Sequence, residues 1–339
     1  MNSFAVQGGR LRAYLRFVTA VLYFFLARSV AQHTVAGLTS GPFAPLLTVA
    51  LLAFLLIVVY ASMGLLLEKQ RSPVAAQGLP LRAGWSGEAG LGVAVGWGMA
   101  VACVVPLAMF GGIAIVLSTQ AAAWGWLAVD LAYFACLALV EEVTFRGYGF
   151  QQFAAVVGQA GASLGFAAFY AILQALQPGS GKLSTTVAVA LSLLLSLAYV
   201  RTRALWVSWG LNFAWKASRA LVFGLAIAGG TAHSPVVAGD PMGPLWLTGD
   251  GYGLDGSWLA LVVILAAIPV VYRVTRELDF VHNAPVFVPG GIPVDLDAAA
   301  RKQHEAAMGP AAEKPLVQIQ AMTAAAAKPE NDDGPGAGI

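Results

Sequence analysis

Charged residues are scarce in this chain, and their scarcity excludes most classes of soluble protein. Only 11% of the 339 residues are Asp, Glu, Lys or Arg, whereas about 25% is usual for a soluble domain. Hydrophobic residues make up 58% of the chain, and its mean hydropathy is +0.74. The net charge is only +2, and no Lys/Arg cluster alternates with aromatic residues, so we expect no nucleic-acid partner. The composition predicts a protein whose main partner is the lipid bilayer.

Cysteine and histidine are equally sparse, which disfavours a metal site. Cys103 and Cys136 both lie inside apolar runs, so neither a disulfide framework nor a Cys-x-x-Cys site is available, and we expect both to be packing residues. The four histidines fall outside the middle of the apolar runs: His33, His233, His282 and His304. Since a zinc site normally combines His, Cys or carboxylate ligands from several elements, we expect no tightly held transition metal.

Windows of about 20 apolar residues predict eight transmembrane helices. They lie near residues 14–32, 43–66, 89–117, 124–150, 160–178, 183–200, 204–229 and 256–273. Basic residues concentrate in alternate loops, so the positive-inside rule places both termini in the cytoplasm. The predicted fold is an all-α, polytopic transmembrane helical bundle, multi-pass in the inner (plasma) membrane.

Composition also predicts three regions. Residues 1–79 hold two spans and a cytoplasmic loop, and residues 80–275 form the transmembrane core. Residues 276–339 are rich in Ala, Pro and charge, a composition that cannot bury a core. We expect a cytoplasmic, largely disordered tail there, with a short helix at 297–308.

Two adjacent carboxylates, Glu141 and Glu142, fall inside an apolar run together with Arg146. Charged groups at this depth cost several kcal/mol unless they are paired or hydrated. Glu142 and Arg146 are i,i+4 neighbours and can pair, whereas Glu141 is turned about 100° away, toward another helix. The group is either a functional site or a polar clamp that fixes helix packing.

Two further polar residues come to the same depth from other spans. At about 1.5 Å per residue, Glu141 lies ~15 Å, Tyr170 ~16 Å and Asn212 ~13 Å from the cytoplasmic helix ends. Lys216 follows Asn212 by four residues on the same helix face. A lysine inside the membrane requires a partner, and the nearest candidates are Glu141 and Glu142.

With these motifs the chain resembles the CPBP intramembrane proteases, a family related to CAAX prenyl endopeptidases and to bacteriocin-immunity membrane proteins. That family carries Glu-Glu-x-x-x-Arg, Phe-x-x-x-His and His-x-x-x-Asn motifs on separate helices. Glu141, Glu142 and Arg146 match the first motif in full. The second and third motifs align with Phe166 to Tyr170 and with Asn212 to Lys216, and the resemblance covers roughly residues 80–275.

The resemblance implies that Glu141 is the general base that activates water, assisted by two histidines, and that a histidine and an asparagine stabilise the oxyanion. Here those three partners are replaced by Tyr170, Asn212 and Lys216. Relatives allow zinc as a cofactor, but with both motif histidines replaced we expect none here.

We therefore expect an endopeptidase-like membrane protein whose peptidase activity is impaired or lost, and which has a membrane-protein or peptide partner. A first alternative is an active, divergent intramembrane endopeptidase that uses Glu141 as base, with Tyr170 and Lys216 as oxyanion donors. A second alternative is a proton or solute transporter, in which intramembrane Glu and Lys residues also occur.

Overall fold

Long helices dominate the structure, a computed structural model that describes residues 3–118, 120–227, 236–282 and 303–304. Apolar runs become helices in a membrane because only internal hydrogen bonds can satisfy the backbone there. The helices are α1 (Ser3–Leu38), α2 (Ala44–Glu68), α3 (Pro73–Ala76), α4 (Trp85–Met109), α5 (Ala121–Arg146), α6 (Tyr148–Ala175), α7 (Lys182–Thr202), α8 (Trp206–Ala217), α9 (Leu245–Thr248), α10 (Trp258–Val274) and α11 (Arg276–His282).

Eight of these helices correspond to the eight predicted spans, and the chain is an all-α, polytopic membrane protein. Among the described residues, five helical stretches are long and apolar enough to cross a membrane, one of which is the continuous pair α5 and α6. The shorter α8 continues into a π-helical turn, Ser218–Val222, and α10 is a shorter apolar helix. The cytoplasmic location of the termini stays a prediction, as does the boundary between residues 79 and 80.

Several predicted helix ends were wrong. The third span ends at Met109, not at residue 117, because Gly111 adopts a left-handed φ of +70° and the chain turns into a strand. That strand, β1 (Ile113–Leu117), pairs antiparallel with β2 (Val237–Pro241). The fifth span starts twelve residues earlier than predicted, at Tyr148, and kinks at Gly158, whose φ is +82°.

The predicted tail also begins too early. Residues Arg276–His282 form α11 rather than a disordered segment. This helix is held to the end of α7, since Arg201 pairs with Asp279 at 3.0 Å and donates to Thr275 Oγ1 at 2.8 Å. The remaining tail, including the helix predicted at 297–308, lies outside the described residues except for 303–304, which are helical.

Glycines on α4 and α8 bring these two helices into backbone contact. A Cβ at Gly92 would lie 2.1 Å from Val207 O, and one at Gly96 would lie 2.4 Å from Leu211 O. From the other side, a Cβ at Gly210 would lie 2.2 Å from the α4 backbone. The glycines on α4 thus allow the backbones of α4 and α8 to approach closely, as small residues do in other membrane bundles. It fixes α8, the helix that carries Asn212 and Lys216.

Two hydrophobic clusters make up most of the core. One joins α4, α7, α8 and α10, and contains Leu211 and Trp215. The other joins α1, α2, α5 and α6, and contains Val140 and Val143. A third, smaller cluster joins α5 and α8 through Phe134 and Ala217. The same pair of helices also brings polar side chains together.

Candidate functional site

Glu141 on α5 is fully engaged by two side chains of α8. Lys216 Nζ donates to both carboxylate oxygens, and Asn212 Nδ2 donates to Oε2 at 2.8 Å. The Lys216 side chain is 7% exposed and that of Glu141 is 18% exposed. The prediction that Lys216 would take an intramembrane carboxylate as its partner is confirmed, and the partner is Glu141.

Glu142 is more deeply buried than Glu141 and pairs with a different cation. Its Oε1 accepts from Arg146 Nη1 at 3.1 Å and from Asn212 Nδ2 at 3.0 Å. Arg146 Nη2 also donates to the backbone oxygen and to Oγ of Ser192 on α7, both at 3.0 Å. Glu142 is 0% exposed and Arg146 is 2% exposed. The predicted i,i+4 pair is confirmed, and it ties α5 to α7 and α8.

Asn212 bridges the two carboxylates through a single amide nitrogen. Its Oδ1 accepts no hydrogen bond from the described residues although it is buried. Ser208, one turn before it on α8, donates to Leu205 O at 3.1 Å. Ser208, Asn212 and Lys216 are all buried at i,i+4 spacing along α8, and Asn212 and Lys216 reach the carboxylates of α5.

Tyr170 on α6 also belongs to this group of residues. It lines a cavity of about 440 Å³ together with Glu141, Lys216 and Gln174. Its ring packs edge-on to Phe145 with 5.1 Å between ring centroids. One turn on, Gln174 Nε2 donates to the hydroxyl of Tyr252. The structure thus brings the six sequence-predicted residues together in one region of the bundle.

A second ion pair lines this cavity, and sequence reasoning missed it. Arg219 Nη1 lies 2.8 Å from Asp255 Oδ1, and the guanidinium stacks on Trp215 at 4.0 Å from the ring centroid. A signal for Arg219 was present, because it is a cation inside an apolar run, three residues after Lys216 and on the same helix face. Asp255 carries no such signal, since it precedes α10 in a polar turn.

The donor set does not fit a zinc ion. Among the described residues, no group of three or more His, Cys, Asp or Glu side chains is close enough to hold a metal. Both oxygens of Glu141 already accept from an ammonium, and Glu142 Oε1 is shared by Arg146 and Asn212. A cation at Glu141 would have to displace Lys216 and would meet its charge.

Comparison with known proteins gives a match to the stretch of chain that contains this site. A family model described as type II CAAX prenyl endopeptidase Rce1-like matches residues 122–218. This stretch is therefore similar to the type II CAAX prenyl endopeptidases. The matched stretch runs from the start of α5 to the first residue of the π-helical turn, and it includes all six site residues named above. No curated protein and no solved structure matches the chain.

The protein is a multi-pass membrane protein, and the similarity of this stretch agrees with its long apolar helices. Glu141, Glu142 and Arg146 match the Glu-Glu-x-x-x-Arg motif. Tyr170 and Lys216 replace motif residues, and both line one cavity with Glu141.

Proposed function

We propose that this chain is a CAAX protease-like protein of the plasma membrane that has lost peptidase activity and serves as a membrane-embedded binding partner. One observation carries the proposal: the ammonium of Lys216 lies against both oxygens of Glu141. Glu141, which stands in the position of the general base, is therefore occupied by its ion pair with Lys216.

The chemistry of hydrolysis supports this reading. A general base must come within hydrogen-bond reach of a water molecule and take its proton in the transition state. Glu141 already accepts from Lys216 and from Asn212, so both of its oxygens are occupied by donors of the protein itself. Loss of one member of a catalytic group commonly lowers the rate by about 10³-fold or more, and here three matched positions differ.

The buried network supports a binding role. Arg146 on α5 keeps its hydrogen bonds to Glu142 and to Ser192 on α7, so the scaffold around the former site is kept. Beside it lies a cavity of about 440 Å³, lined by polar and apolar groups alike. A maintained cavity with an occupied base is suited to holding a ligand without cleaving it.

A second candidate is an active, divergent endopeptidase, and one observation favours it. Glu141 still faces the cavity, with Tyr170 and Lys216 on its walls. If a substrate displaced Lys216 from Glu141, the ammonium and the Tyr170 hydroxyl could stabilise an oxyanion while Glu141 acted as base. In this reading the ion pair is a resting state.

The test restores the family residue at position 216 alone and then at all three substituted positions. Purified wild type, Lys216→Asn, and the triple variant Tyr170→His, Asn212→His, Lys216→Asn are compared in detergent with and without zinc. We expect zinc to raise the melting temperature of the triple variant and to leave wild type unchanged, since only the triple variant offers imidazole ligands beside Glu141. The same triple variant carrying Glu141→Gln is the matched control.

A peptidase assay on the same samples separates the two candidates. Cleavage by wild type that the triple variant does not improve would contradict the proposed loss of activity. In that case Tyr170, Asn212 and Lys216 would belong to a working variant of the chemistry.

A further inference from the structure

Arg219 is buried yet not fully hydrogen-bonded. The residue is 1% exposed. Its Nε donates to Trp215 O at 2.9 Å and its Nη1 to Asp255 Oδ1 at 2.8 Å. The remaining terminal nitrogen, Nη2, is buried and finds no acceptor among the described residues. An unpaired buried donor costs free energy, about 1–3 kcal/mol and more for a charged group, so this nitrogen calls for an acceptor that the described residues do not supply.

The cavity beside Arg219 carries an excess positive charge. Five charged residues line it: Arg28, Glu141, Lys216, Arg219 and Asp255. Three are cations and two are anions, so the formal charge of the lining is +1. The two buried cations are each matched by a carboxylate. The unmatched one is Arg28, which is exposed and has no ion pair within the described part of the chain.

The cavity opens at the helix ends that lie away from Arg146. Gln177 follows the end of α6, Ser184 lies in the first turn of α7, and Asp255 precedes α10. All three belong to the connections at one end of the bundle. Toward the other end, the cavity floor is Glu141, behind which Glu142 and Arg146 are sealed from solvent. Arg28, Arg219 and Glu141 all line this cavity.

We propose that this cavity binds a monoanionic oxyanion group, a carboxylate or a phosphodiester, that accepts a hydrogen bond from Arg219 Nη2 and is drawn in by Arg28. The single negative charge balances the lining, and the oxyanion supplies the acceptor that Arg219 lacks. A guanidinium in a site screened from water is well suited to this contact. The inference rests on the proposed function, because it treats the cavity as a place where a ligand is held and not cleaved.

Two sources can present this chemistry, a free organic acid or an anionic lipid headgroup, and the test has an arm for each. In detergent, the melting temperature of the purified full chain is measured against butyrate, with butyramide as a neutral control of the same shape. In nanodiscs, phosphatidylglycerol is compared with phosphatidylcholine. We expect saturable stabilisation by butyrate or by phosphatidylglycerol, and none by its neutral counterpart.

Two variants locate the site. Arg219→Lys keeps the charge but removes the free Nη2, and we expect about tenfold weaker binding or more, the loss of one charge-assisted hydrogen bond. Arg28→Gln changes an exposed side chain and leaves the fold intact, and we expect a several-fold, salt-dependent loss. Arg10→Gln, exposed near the other end of the same helix, is the matched control and should bind as wild type does.

The inference is overturned if neither anion stabilises wild type beyond its neutral counterpart, or if Arg28→Gln binds as tightly as Arg10→Gln. If Arg219→Lys fails to fold, the anion titration of wild type and the comparison of Arg28→Gln with Arg10→Gln still test the inference. Cleavage of a reporter peptide would overturn the proposed function without affecting butyrate binding. Absence of both cleavage and anion binding would overturn this inference alone.

Discussion

Replacing Lys216 by Met removes the cation from Glu141 while keeping a side chain of similar length. The Lys216 side chain is 7% exposed and that of Glu141 18%, so the pair is largely desolvated. Breaking a buried pair by removing one partner costs about 3–5 kcal/mol. Because Glu141 lies on a cavity wall and keeps the amide of Asn212 at 2.8 Å, we take the lower end, about 3 kcal/mol. At roughly 2–4 °C per kcal/mol, the melting temperature should fall by about 6–12 °C.

A double-mutant cycle isolates the pair from other effects of the substitutions. Wild type, Lys216→Met, Glu141→Gln and the double variant are melted in the same detergent, with Lys182→Met as an exposed control that should change stability by less than about 0.5 kcal/mol. We expect the double variant to lose about 2 kcal/mol less than the sum of the singles, a coupling typical of side chains in direct contact. Additive losses, or a Lys216→Met protein as stable as Lys182→Met, would refute the ion pair and with it the argument for an occupied base.

Two further predictions concern the scaffold around the site. Gly96→Ala should destabilise the bundle markedly, because its Cβ would lie 2.4 Å from Leu211 O. Gly98→Ala on the same helix meets nothing within 4 Å and should be neutral or stabilising. Equal melting temperatures of the two variants would contradict the close packing of α4 on α8. Arg146→Met leaves Glu142, which is 0% exposed, without its cation and should lower the stability by about 3–5 kcal/mol. Arg10→Met should change the stability little. Equal melting temperatures of these two variants would argue against a structural role of the buried Glu142–Arg146 pair.

The helical fold could be predicted from the sequence because hydropathy alone specifies which segments enter a membrane. The details that failed depend on non-local contacts. Residues 113–117 are apolar and continue the run that forms α4, so only their pairing with 237–241 distinguishes them as a strand. Likewise, α11 folds where composition predicted disorder because Asp279 meets Arg201, a residue 78 positions earlier.

Much of the site was predictable from the cost of placing charge in lipid. That cost identified Glu141, Glu142 and Lys216 and required that they be paired. It could not say which carboxylate takes Lys216, since that choice depends on how α8 is rotated against α5. Ser192 and Asp255 were missed because neither stands out along the chain. Each becomes part of the site only through the packing of its segment against Arg146 or Arg219.

Peptide hydrolysis by the wild-type protein tests the central claim most directly. Purified protein in nanodiscs is incubated with a panel of prenylated and transmembrane reporter peptides, beside Glu141→Gln, and the products are quantified by mass spectrometry. With Glu141 occupied by Lys216, we predict that wild type and Glu141→Gln both match the protein-free background. Cleavage by wild type that disappears in Glu141→Gln would show that Glu141 is a working base and would contradict the account.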